Sequence, residues 1–163
     1  MPRNINVPLR YIPKRLSKKD KKTQKKELLR SRKAYKKGKY YTRKKVKTFK
    51  STVSKHILKA RNIYKINSIK PSKKLSKKTG CSIKALKKIV NKGKGAYFSS
   101  GSRPNQTAES WGIARLASSI TGGKASAIDL NILQEGCNTR SRALKMAIKT
   151  KKKGTRRVPK IKL

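Results

Sequence analysis

The stretch Ser82-Ile83-Lys84-Ala85-Leu86-Lys87-Lys88-Ile89-Val90-Asn91-Lys92-Gly93 decides the fold class. Ile83, Leu86, Ile89 and Val90 recur with the period of one helix face, and Lys84, Lys87, Lys88 and Lys92 point elsewhere. Ser82 is a capping residue and Gly93 a natural stop, so a helix is expected from Ser82 to Asn91. The plain reading of its lysines is a solvated face above an apolar one.

Downstream the helical period returns. Thr107 caps a second helix, with Glu109 in the first turn, where negative charge suits the dipole. Trp111, Ala114, Ala117 and Ser118 form a stripe of mostly small side chains, which lets another helix approach closely. Ile113, Leu116 and Ile120 form an apolar stripe beside it, and Gly122-Gly123 ends the element. A third helix is expected from Lys124 to Glu135, stopped by Gly136, and a fourth from Thr139 to Lys149. Between the first two, Gly93 to Gln106 is rich in Gly and Ser and reads as a loop or a short strand followed by a turn. Its backbone N–H groups suit an anion nest and Arg103 a phosphate. It matches neither GxxxxGK[ST] nor GxGxxG, and the plainer reading is an ordered connector whose hydroxyls cap its neighbours. The expected fold is mainly α: a small helical domain over about 81–149 with a thin core.

Upstream the composition changes. Of 49 Lys+Arg and 5 Asp+Glu, giving a net charge of +44, residues 1–94 hold 35 basic and 2 acidic residues. Residues 95–139 balance Arg103, Arg115 and Lys124 against Glu109, Asp129 and Glu135, and residues 140–163 hold 11 basic residues and no acid. Like-charge blocks of this kind repel one another. Residues 1–80 are therefore expected as a basic arm and 150–163 as a basic tail, extended or disordered unless bound. Tyr, Phe, Val, Ile and Leu are interleaved with the charge, so the arm is expected to be partly helical or extended once bound. Lys18 to Lys37 has no Pro or Gly and is rich in helix formers, with Gly38 placed to end it. Tyr40 to Phe49 is expected to be extended.

A surface this basic points to a polyanionic partner. The clustered residues Lys18, Lys19, Lys21, Lys22, Lys25, Lys26, Arg43, Lys44, Lys45, Arg156 and Arg157 are the candidate nucleic-acid contacts. Tyr40, Tyr41 and Phe49 are candidates for stacking or docking. Tyr97, Trp111, Leu116 and Ile120 are the candidate protein-docking residues of the neutral block. An anionic membrane is a weaker partner, because no apolar run approaches the roughly 18 residues needed to span a bilayer. The opening MPRNINVPLRYIPKR lacks the apolar run of a secretory signal.

The inventory for catalysis is poor. His56 is the single histidine, Ser99, Ser100 and Ser102 have no neighbouring base, and the three acids of the central block read as salt-bridging residues. No enzyme activity, cofactor, metal or small-molecule substrate is expected. Cys81 and Cys137, 56 residues apart, lack metal-ligand spacing and are read as buried thiols in preference to a disulfide.

The block from Lys94-Gly95-Ala96-Tyr97-Phe98-Ser99-Ser100-Gly101-Ser102-Arg103-Pro104-Asn105-Gln106-Thr107 through Ser110-Trp111, Ala114 to Ser118, Thr121 to Ala125, Asp129 and Gly136-Cys137 is distinctive. It resembles a small uncharacterised family of basic proteins encoded by large nucleocytoplasmic DNA viruses. That resemblance implies a structural protein of the virus particle, found in the virion and at its site of assembly. Such a protein is a minor capsid or internal component whose arms meet genomic duplex DNA or acidic capsid proteins. The rival readings are a ribosome-type RNA-binding protein, a DNA-condensing protein with no shell role, an enzyme of nucleic-acid metabolism and a protein of the membrane surface.

Overall fold

A computed structural model describes residues 4–163. The described chain is mainly α. In order it forms β1 (Asn6–Pro8), a single 3-10 turn (Leu9–Tyr11), α1 (Lys18–Lys36), α2 (Lys55–Tyr64), α3 (Lys73–Thr79), α4 (Ile83–Ser99), α5 (Ala108–Ser119), α6 (Lys124–Ile128), α7 (Leu130–Gly136), α8 (Arg142–Lys153) and β2 (Lys160–Lys162). These elements divide between two compact units. The first comprises Met1–Thr52, Lys94–Ala108 and Arg157–Leu163, and the second Val53–Gly93 and Glu109–Arg156.

The second unit is built as periodicity predicts. Leu86, Ile89 and Val90 of α4, Leu116 and Ala117 of α5, Ile132 and Leu133 of α7, and Ala143, Leu144 and Ala147 of α8 are buried in one apolar cluster. Gly93 is not the stop expected of it. A Cβ there would lie 2.6 Å from the Gly112 Cα, so the two glycines let α4 and α5 touch backbone to backbone. That close packing offsets the roughly 1 kcal/mol by which glycine weakens a helix interior, and α4 runs on to Ser99. The expected third helix is two, because Asp129, at φ −95° and ψ 13°, ends α6 and begins α7.

Helices α2 and α3 lie in the stretch read as an arm. Ser54 and Ser72 cap them, Lys65 and Gly80 close them in left-handed conformation, and they contribute Ala60, Tyr64 and Leu75 to the core. The Tyr64 hydroxyl donates to the Ile120 carbonyl, and burial pushes its pKa up to about 12. The cysteines also differ from expectation, since Cys81 and Cys137 form a disulfide. Ser82 N–H donates to Gly136 O at 2.7 Å and Asn138 N–H to Gly80 O at 2.7 Å. This antiparallel bridge sets the two sulfurs face to face.

The first unit has a different interior. β1 and β2 pair antiparallel, with Val7 opposite Ile161. Ser17 caps α1, whose buried face is Asp20, Gln24, Glu27, Leu28 and Ser31, mostly polar. Leu16, Val46 and Phe49 form a small apolar cluster. The segment Tyr40 to Phe49 forms no strand, because side chains take the place of a neighbouring strand. Arg43 N–H donates to the Tyr97 hydroxyl (3.1 Å), Lys44 N–H to Glu27 (2.8 Å), Val46 N–H to Asn105 (2.7 Å) and Thr48 N–H to Asp20 (2.8 Å). An arm that is extended or disordered unless bound is therefore not what this structure shows for residues 4–80. The interleaved apolar residues and the two acids give the basic chain an interior of its own.

Candidate nucleic-acid interface

The surface charge follows from where the five carboxylates go. Glu27, 5 % exposed, accepts from the Tyr41 hydroxyl and the Lys44 amide, each at 2.8 Å. Asp20, 9 % exposed, accepts from both the hydroxyl and the amide of Thr48. Those hydrogen bonds, the hydroxyl's above all, hold its pKa below the ordinary carboxylate value. Asp129 is fully buried in the second unit. Arg115 reaches it with two bonds at 2.9 and 2.7 Å, Ser119 donates at 2.8 Å, and Lys92 lies 3.4 Å away. Burial alone would raise its pKa, but the Arg115 bonds and charge, Ser119 and Lys92 outweigh burial and lower it. Only Glu109 and Glu135 remain exposed, both in the second unit. The first unit sets 26 Lys+Arg against Asp20 and Glu27, so it shows no Asp or Glu side chain at its surface.

Most of the candidate phosphate contacts are on that surface. Lys18, Lys19, Lys22 and Lys26 are exposed around α1, Lys21 and Lys25 are half-buried, and Lys44, Lys45, Arg156 and Arg157 are exposed. Arg43 is not available. It is 7 % exposed, donates to Ser31 Oγ (2.8 Å), Tyr97 O (2.7 Å) and Ser102 Oγ (2.7 Å), and lies 3.8 Å over the Tyr97 ring. Burial pushes its pKa down from the ordinary arginine value. Arg43 is thus an interior strut. The loop Ser100 to Gln106 serves the same end, since Ser102 receives Arg43 and the Asn105 amide group donates to the carbonyls of Val46 and Phe49. This is the connector reading of that loop. Arg103 is exposed, and burial of part of its side chain, with Arg10 and Arg15 as like charges nearby, pushes its pKa down.

Of the candidate stacking residues, Tyr40 is 73 % exposed. Tyr41 is half-buried, with its hydroxyl on Glu27 and Arg30 over its ring at 4.6 Å. Phe49 is buried, with Arg15 over its ring at 4.7 Å. Among the proposed docking residues, Tyr97, Leu116 and Ile120 have no exposed surface and belong to interiors, while Trp111 is half-buried on α5. Tyr35, one of the aromatic residues interleaved with the charge, is 40 % exposed at the end of α1, beside the pair Lys36-Lys37. The sequence reading missed the shallow concavity on α4 lined by Ile83, Lys84, Lys87, Lys88, Asn91 and Lys92, where a helix had been read but not a recess.

Of the acids and hydroxyls weighed for catalysis, Asp129 is bonded to Arg115 and Ser119 and lies 3.4 Å from Lys92, and Ser102 accepts from Arg43 and donates to the Arg103 carbonyl. Among the described residues, no group of three or more His, Cys, Asp or Glu side chains is placed to hold a metal ion, and no helix is long and apolar enough to cross a membrane. The model of a family described only as of unknown function, DUF5824, matches residues 8–136. No curated protein and no solved structure matches the chain.

Proposed function

This chain belongs to that family of unknown function, and we propose that it binds nucleic acid without catalysing a reaction, through charge and independently of base sequence. The observation that carries this reading is the sorting of charge. Three of the five carboxylates face inward onto amides, hydroxyls, Arg115 and Lys92, and the charged side chains that the first unit turns to solvent are all Lys or Arg. A surface without its own counter-charges condenses external anions. A phosphate backbone, with one charge per roughly 1.7 Å of duplex axis, matches that density and gains by releasing counterions. Self-repulsion at +44 opposes compaction of the free protein, so a bound polyanion also stabilises the basic N-terminal stretch in its folded form.

The resemblance of the Gly93 to Cys137 block to basic proteins of large DNA viruses supports a structural role in a virus particle, with packaged duplex DNA as the polyanion and acidic capsid proteins as further partners. The test is the affinity of the full chain for random-sequence duplex DNA across a salt series. If six to ten phosphates are contacted, affinity falls about 10³- to 10⁵-fold between 50 and 200 mM salt, and equally for unrelated sequences. A flat salt dependence, or tight binding to acidic protein alone, overturns nucleic-acid binding.

A further inference from the structure

Among the described residues, the exposed aromatic side chains are Tyr35 and Tyr40, and both belong to one ladder in the first unit. The Tyr35 and Tyr40 rings are 6.3 Å apart between centroids, Tyr40 and Phe98 are 5.1 Å apart, and Phe98 meets the edge of Tyr97 at 5.1 Å. The inner end is fixed. Tyr97 is fully buried beneath the Arg43 guanidinium, and its hydroxyl accepts the Arg43 amide. Beside it, Arg32 donates to Ser100 O at 2.9 Å, which ties α1 to the end of α4 within this unit. The outer end is open, with Tyr40 at 73 % exposure, and Lys36 and Lys39, which adjoin Tyr35 and Tyr40 in the chain, are exposed.

We propose that the Tyr35–Tyr40–Phe98 ladder is a stacking site for unpaired nucleotides, so that the protein holds single-stranded nucleic acid in addition to duplex. The inference rests on the nucleic-acid reading above. Its physical ground is the pairing of open rings with cations at the same spot. An apolar protein partner that buried Tyr40 would have to strip water from the adjoining lysines, with no exposed Asp or Glu on this unit to balance them. An unpaired base lies on a ring face while its phosphate meets a lysine, and neither has to be desolvated alone. Duplex DNA keeps its bases paired and stacked internally, so it has no free base face to offer.

The test compares the full chain with two double variants, Tyr35→Ala/Tyr40→Ala and Tyr35→Phe/Tyr40→Phe, at one fixed salt concentration. The probes are labelled oligo(dT), oligo(rU) and a random-sequence duplex. Base stacking on an aromatic residue contributes about 1–3 kcal/mol per base, so the alanine pair is expected to bind the two single strands roughly 10- to 100-fold more weakly. The phenylalanine pair, which keeps the ring faces, is expected to bind like the parent, and duplex affinity stays unchanged in both. Loss confined to oligo(dT) or to oligo(rU) names the strand the site prefers and supports the proposal. Equal loss on strands and duplex, or no loss on either, overturns it. If the parent binds duplex with a steep salt slope while the alanine pair binds strands normally, this proposal alone fails. If the parent binds no nucleic acid in a salt-dependent way, the underlying reading fails as well.

Discussion

The two units of this chain solve the same problem, folding under heavy positive charge, by opposite means. The second buries Leu, Ile, Val and Ala from α2 to α8 in one continuous cluster and is stapled by a disulfide. The first buries a small apolar cluster of Leu16, Val46 and Phe49, with Val7, Tyr11, Ile12 and Leu28 also buried, and beside these a network in which Asp20, Glu27, Arg43, Tyr97, Ser102 and Asn105 hold the segment 43–49. Apolar burial is tolerant of sequence, whereas a buried polar network is stabilising only when every member is satisfied. Among the described residues no buried side-chain N or O lacks a partner. The contrast teaches that a chain with few acids can still build an interior from them if each is spent on backbone amides or a single buried cation.

The largest effect should come from the staple. The disulfide closes a loop of 56 residues, and in the chain-entropy account such a closure contributes about 4 kcal/mol. Replacing both cysteines, Cys81→Ser with Cys137→Ser, is expected to lower the unfolding free energy by that order in urea titration. Reductant should do the same to the parent and nothing further to the variant. A change near zero would mean that the apolar cluster holds the second unit unaided.

The polar unit should be most sensitive at its one buried guanidinium. Arg43→Met leaves Ser31, Ser102 and the Tyr97 carbonyl without their donor, which costs about 2–3 kcal/mol. Arg43→Lys recovers only part, because a single ammonium cannot reach all three acceptors. Amide hydrogen exchange is expected to speed up at Lys44, Val46 and Thr48. The slope of DNA affinity against salt should stay the same, whereas removing a phosphate contact such as Lys22 lowers it by about 1. A lowered slope in Arg43→Met would return Arg43 to the binding surface.

The same contrast explains what was legible in the sequence. Helices α4, α5 and α8 were readable because their apolar spacing is local, and α1 because its run is rich in helix formers and free of Pro and Gly. Helices α2 and α3 carried cap signals at Ser54 and Ser72, but dense lysine masked their short apolar faces. The first unit's interior was not readable, because its partners lie 54 and 59 residues apart, as for Arg43 with Tyr97 and Val46 with Asn105. No periodicity encodes such pairs. For the same reason Arg43 looked like its neighbours Lys44 and Lys45, although it is buried and they are exposed. The exposure of most of the clustered lysines was legible, since nothing is needed to expose them.

The smallest expected effect separates inward from outward carboxylates. Asp20 and Asp129 titrate below the ordinary carboxylate value in the fold, so each contributes stability that is complete above about pH 4–5 and is lost as pH falls through the folded pKa. Stability is therefore expected to be level from neutral pH to about pH 5 and to decline below about pH 4. The two units should respond through different residues. Asp129→Asn removes the acid-sensitive contact of the second unit, where the partner is the Arg115 charge, and Asp20→Asn that of the first, where the donors are neutral groups of Thr48. Glu135→Gln, at an exposed position, should change stability by less than about 0.5 kcal/mol. An acid decline that survives in the Asp20→Asn/Asp129→Asn double variant would mean that general repulsion, and not the inward carboxylates, sets the acid limit of the fold.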